Sequence, residues 1–292
     1  MFNYLKVNMR IMIKKKTFLF SLGIMLLICL TLPFIYFWNY RDYYVYQMPA
    51  AYSVFVGNDM GMAWKYIQLI MPFLVIFPYS MSFYDDSMSG VNIYYLTRGD
   101  RKKYYFSQML TCFIGGVIVI GIPFLINILM NTIIFPAEGN DYLTTLNRYY
   151  VGWSSSVTGS NVVFKTVSKG IVLKKLYVDY PQIYNIVITI LASIIAGVMS
   201  IATYTFSLII RKSRIFIFLF SYIFFQLFAM IDSVLYDRWD EVNAYICTNI
   251  TSYMSFTQGQ IGKVYIGFLG VMILVVLLEI KIVMQRISKD EL

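Results

Sequence analysis

Residues 85–104 crowd carboxylates, guanidinium groups and phenols into one short stretch: Asp85, Asp86, Tyr94, Tyr95, Arg98, Asp100, Arg101 and Tyr104. Catalysis would need a base or nucleophile beside them. The chain has no His, the commonest general base and metal ligand. Cys29, Cys112 and Cys247 lie far apart with no C-x-x-C pair, which favours packing over a disulfide or zinc framework. No spacing of Ser, Lys or carboxylates gives a nucleophile with an activating base. A phosphate-cradling loop needs G-x-x-x-x-G-K-[ST]. Gly116 with Gly121, and Gly262 with Gly267, have that gap, but Ile122 and Phe268 follow them inside apolar runs. The expectation is a chain that is not an enzyme, with no catalytic, metal or cofactor-binding residue of its own.

The elements that must position this stretch are membrane helices. Residues 17–38, 66–84, 104–137, 180–210 and 215–231 hold no Asp, Glu, Lys or Arg, and 264–278 form a sixth apolar block that runs on past Glu279. A bilayer core takes roughly 17–25 apolar residues per crossing helix, because no water is there to satisfy backbone groups. Apolar residues are 59% of the chain and charged ones 13%, against soluble averages of about 45–50% and 25%. The expected fold class is an all-α polytopic membrane protein, one transmembrane domain over residues 1–292. It comprises an interfacial helix at 1–16 and six spans at about 17–38, 64–84, 104–130, 182–210, 215–235 and 261–283. A cytoplasmic loop at 85–103 and a large extracellular loop at 138–180 complete it.

The net charge of +9 is distributed by topology. Of the 24 basic residues, 15 lie in short segments before the first span and after the second, fourth and sixth. The positive-inside rule then puts both termini and the 85–103 loop in the cytoplasm, and nucleic acid is not an expected partner. No small-residue cleavage site follows the first block, where Tyr36 and Trp38 stand instead. The final Lys289, Asp290, Glu291 and Leu292 spell a luminal retention signal, on the wrong side for this topology and so read as coincidence.

Locally, Phe2, Leu5, Met9, Met12 and Ile13 share one helical face, with Lys6, Arg10 and Lys14 flanking it to meet anionic headgroups. Residues 39–65 read as a modest external loop. Clustered Tyr36, Phe37, Trp38, Tyr43, Tyr44 and Tyr46 read as interfacial anchors. Pro33, Pro72, Pro78 and Pro123 are expected to kink spans. Stretches 162–167 and 171–178 suit a small hairpin, and 242–256 an excursion into the outer leaflet. Asp232 and Glu279 fall close to interfaces, where snorkelling makes charge inexpensive.

In residues 85–103, two acids sit where the second span ends, against the negative end of a helix dipole. One remedy is for Asp85 or Asp86 to cap a new helix near Met88 and Ser89. That helix would present Val91, Tyr94 and Tyr95 and stop before Arg98 and Gly99, after which Asp100 caps the third span. The result is a short amphipathic helix held between two membrane helices and suited to a groove on a cytoplasmic partner.

The stretch resembles the signature of the ABC transporter type-2 permease family. There an acidic pair, a Gly, a Leu and an Arg/Pro–small–Asp/Ser–Arg–x–x–Tyr run follow the second span. The matching positions are Asp85, Asp86, Gly90, Leu96, Arg98, Asp100, Arg101 and Tyr104, followed by Ser107 and Gln108. The acids are Asp where Glu is common, and Gln108 stands where a basic residue is common. The resemblance implies that residues 85–103, with Tyr94 and Tyr95, form a coupling loop on a separate ATP-binding subunit. ATP and Mg would lie on that partner, expected in two copies, beside a second permease as homo- or heterodimer. The implied role is export of a peptide, lipid or hydrophobic compound across a bacterial cytoplasmic membrane by a multi-pass protein surrounded by lipid. The alternative is a non-transporting immunity or sensor subunit that binds an extracellular peptide through 140–179. An ion channel is disfavoured, because no span carries a ring-forming series of charges.

Overall fold

The computed structural model describes residues 2–57, 62–137, 176, 180–210, 213–224 and 264–291. Apart from residues 176 and 180, expectations for the 138–180 loop and its hairpin lie outside these, as do residues 225–235 of the fifth span, Asp232, Cys247 and the 242–256 excursion. The described residues form helices α1 (Phe2–Lys14), α2 (Lys16–Tyr40), α3 (Met62–Ile76), α4 (Ser82–Met88) and α5 (Val91–Arg98). They are followed by α6 (Arg101–Ile134), α7 (Pro181–Ile209), α8 (Arg214–Phe224) and α9 (Val264–Glu291). No strand occurs among the described residues.

Among the described helices, α2, α6 and α7 are each long and apolar enough to cross a bilayer, which marks a membrane-embedded protein. At about 1.5 Å per residue, α6 with its 34 residues outreaches a hydrocarbon core of about 30 Å. Its charged start therefore projects beyond the core and can carry the 85–103 segment.

Helix α7 sits at the centre. Most of it is buried, and Ile186, Ile190 and Ile194 form a narrow outward stripe at four-residue steps. Its hydroxyls are satisfied along the helix: Thr189 Oγ1 donates to the Asn185 carbonyl (2.9 Å) and Ser193 Oγ to the Thr189 carbonyl (2.7 Å). Small residues bring α6 against it. A Cβ on Gly116 would lie 2.6 Å from the Ala196 carbonyl oxygen, and one on Gly121 2.8 Å from Ser193 Oγ. Such close approach replaces the hydrophobic driving force that lipid does not supply.

The span expected at 64–84 is not one helix. α3 stops at Ile76, residues 77–81 turn, and α4 begins at Ser82. Pro78 has no N–H to donate, and it disfavours helical backbone at Phe77. The turn is fixed to the bundle by the Ser80 and Ser200 hydroxyls, 2.7 Å apart.

The 39–65 segment also departs from a plain external loop. Ala50, Ala51, Tyr52, Val54, Phe55 and Val56 are buried. The Phe55 and Phe124 rings meet edge to face at 5.7 Å. Non-helical backbone at such a site must find protein partners. Val56 N donates to Asn127 Oδ1 (3.1 Å), Asn185 Nδ2 donates to the Tyr52 carbonyl (3.0 Å), and Ala51 N donates to the Pro136 carbonyl (2.9 Å). Asn127 Nδ2 also donates to the Cys29 carbonyl at 2.7 Å. Pro33, four residues on, cannot bond that carbonyl, so one asparagine mends the α2 ladder and pins the loop. Cys29 and Cys112 are buried and free, as packing residues are.

In α1 the buried positions are Asn8 and Met12, with Leu5 and Met9 half-buried, whereas Phe2 and Ile13 are exposed. The expected apolar face is therefore only half used for packing. Asn8 Nδ2 donates to Ser107 Oγ (3.1 Å), tying α1 to α6.

Candidate functional site: the acidic pair and the helix it anchors

Asp85 and Asp86 lie within α4, so neither caps a new helix as the sequence suggests. The chain turns instead at Gly90, whose φ of 72° is the left-handed conformation that favours glycine, and α5 starts from there. Free of capping duty, the two carboxylates face different neighbours. Asp85 pairs with Lys15 Nζ (3.2 Å), at the junction of α1 and α2, and with the Arg214 guanidinium at the start of α8. Asp86 accepts from Tyr104 Oη (2.8 Å) and Gln108 Nε2 (2.7 Å), both on α6.

Gln108 extends the network inward. Its Nε2 also donates to Tyr104 Oη (3.0 Å), while its Oε1 accepts from Tyr204 Oη of α7 (3.2 Å). Tyr204 and Gln108 are fully buried and Tyr104 nearly so. Burial pushes the Asp86 carboxyl above the ordinary carboxylate range, opposed by the bonds from Tyr104 and Gln108 and by the nearby Lys15 charge. A basic side chain at position 108 could not accept from Tyr204. The amide does both jobs.

Helix α5 rides on this platform. Tyr95 stacks on Tyr104 (ring centroids 5.3 Å apart, planes 18°) and meets the Tyr4 ring edge-on at 6.2 Å. Val91, Ile93 and Tyr94 point outward and are exposed, with Ile93 63% accessible; Met88 of α4 is 70% accessible. α5 runs through Arg98 and ends at Gly99, one residue beyond the expected stop. A Cβ on Gly99 would fall 2.4 Å from Tyr4 Oη, so α1 closes tightly over this turn. Asp100 caps α6 as expected, accepting from Lys103 N (3.2 Å). The Lys103 ammonium and backbone N–H hold the exposed Asp100 carboxyl below its usual range.

Of the residues singled out by sequence, Asp85 and Asp86 lie on α4, Gly90 in the turn after it, Tyr94, Tyr95, Leu96 and Arg98 on α5, and Asp100 and Arg101 at the start of α6. Sequence reasoning missed Lys15, Arg214 and Tyr204. A signal was present in Tyr204 and Gln108, polar groups inside charge-free runs. Glu279 is 3% exposed, and among the described residues neither of its carboxylate oxygens has a hydrogen-bond partner.

Chemically the arrangement holds α4 against its neighbours through ion pairs and hydrogen bonds. Among the described residues no three His, Cys, Asp or Glu side chains converge on a metal-sized site. Comparison of the chain with models of known protein families, with curated proteins and with solved structures returns no match.

Proposed function

We propose that this chain is the membrane-spanning permease subunit of an ATP-driven transporter, with α5 as the helix that receives work from a separate cytoplasmic ATPase. One observation carries the reading. The acidic pair ties α4 to the α1–α2 junction and α8 through Asp85, and to α6 and α7 through Asp86 and Gln108, while the short, outwardly apolar α5 continues from α4 at Gly90 and stacks Tyr95 on Tyr104 of α6. A displacement of α5 then moves four helices together, as a mechanical input must. Its exposed Val91, Ile93 and Tyr94 supply the apolar face that a groove on a partner buries. The resemblance of residues 85–108 to the type-2 permease signature points the same way.

In this reading two permeases, identical or related, sit with two ATPase copies in a bacterial cytoplasmic membrane and export a peptide, lipid or hydrophobic compound. Six spans and cytoplasmic termini belong to the same proposal. The test uses the tagged chain purified with its partners and placed in vesicles. An ATP-hydrolysing subunit is expected to come with it near stoichiometry. Asp85→Lys sets like charges against Lys15 and Arg214 and should lower transport-coupled hydrolysis by about tenfold, with membrane insertion intact. Absence of any nucleotide hydrolase, or unchanged coupling in this variant, would overturn the reading.

A further inference from the structure

A groove of about 660 Å³ opens beside the acidic pair, between the α1 and α2 junction, the 77–81 turn and the start of α8. Phe77, Phe218 and Leu219 form its walls, and the Phe77 and Phe218 rings pack 5.3 Å apart. Lys15, Lys16 and Arg214 stand on its lining with one carboxylate, Asp85. Asp85 is shared by Lys15 and Arg214, and Lys16 takes no part in either pair. Three cations against one anion leave this apolar slot with a surplus of two positive charges.

A free inorganic anion would use the cations but not the walls. A neutral chain would use the walls but not the cations. The combination sits where charge-free helices meet the basic ends of α2 and α8, the level of a lipid headgroup. We propose that the groove binds an anionic phospholipid of the surrounding leaflet. Its phosphate is held by Lys16 and by the outer faces of Lys15 and Arg214, and the start of one acyl chain lies against Phe77, Phe218 and Leu219. A bound phosphate would compete with Asp85 for Lys15 and Arg214, so lipid occupancy and the grip of α4 on α2 and α8 are opposed. The inference rests on membrane embedding and not on the transporter reading.

The test is native mass spectrometry of the purified full-length chain, titrated in turn with phosphatidylglycerol, phosphatidylcholine and inorganic phosphate. Phosphatidylglycerol is expected to bind best. Lys16→Gln should weaken it about fivefold, the value of one basic residue near an anionic headgroup. Leu219→Trp should weaken it by filling the groove, and Asp85→Asn should strengthen it by freeing two cations. Equal binding of both lipids, equal binding of inorganic phosphate, or indifference to Lys16→Gln and Leu219→Trp would overturn the proposal. So would a second copy of the chain occupying the groove in place of lipid.

Discussion

Gln108 lets a carboxylate sit half-buried at the foot of α6, because its amide donates to Asp86 while accepting from Tyr204. Leucine there would leave the acid and the phenol each short of a partner. Hydrogen bonds to charged groups contribute about 1.5–3 kcal/mol, so Gln108→Leu is expected to destabilise by about that much. Thermal unfolding in detergent would show it. Asp86 also sets a pH dependence whose sign follows from burial. Its carboxyl titrates above the ordinary range in the fold, so the cost of burying its charge is absent below the unfolded value and complete above the folded one. Its contribution to stability therefore falls as pH rises between the two. Asp100 runs the other way: its contribution is present above the ordinary value and lost as pH falls through the lowered one. Asp86→Asn should remove the loss of stability on raising pH just above the ordinary carboxylate range, read as unfolding temperature against pH. If the slope there is unchanged, Asp86 is not the group responsible. The two acids were legible as a pair because they interrupt an apolar run. The partners of Asp85 were not, because Lys15 and Arg214 lie 70 and 129 residues away along the chain.

At the scale of elements, the contrast between two glycines separates helix propensity from helix packing. Gly23 of α2 has nothing within 4 Å of where a Cβ would stand, whereas Gly116 of α6 meets Ala196 backbone at 2.6 Å. Gly23→Ala is expected to stabilise by about 0.5–1 kcal/mol. Gly116→Ala should destabilise by about 1–3 kcal/mol as α6 and α7 are forced apart. Equal effects in thermal unfolding would mean that α6 and α7 are not in close contact. The long helices α2, α6 and α7 could be read from absence of charge alone, and the α6 cap from Asp100. The break at 77–81 could not, since Pro78 is compatible with either a kink or a stop. Nor could the buried 50–56 segment, which is too short and mixed to show a period. Its burial depends on Asn127 and Asn185, far off in the chain.

For the whole molecule, the described helices are tied together in two places, by the Asn127 and Asn185 bonds to residues 50–56 and by the polar end around Asp85 and Asp86. Ion pairs and hydrogen bonds at that end link α1, α2, α4, α6, α7 and α8. Apolar side chains are exposed along the long helices, Leu27 and Phe34 of α2, Ile133 of α6 and Ile190 of α7 among them, as bilayer contact explains. The apolar side chains exposed on α5 are different, because they stand beside the charged end. On that asymmetry rests the proposal that α5 is covered by a separate ATP-hydrolysing protein. The direct measurement is photo-crosslinking from Ile93 in the native membrane, with Leu27 on the lipid-facing side of α2 as the reference position. The account requires an adduct with an ATP-hydrolysing protein from Ile93 and none from Leu27. No such adduct from Ile93, or the same yield from both positions, would contradict it.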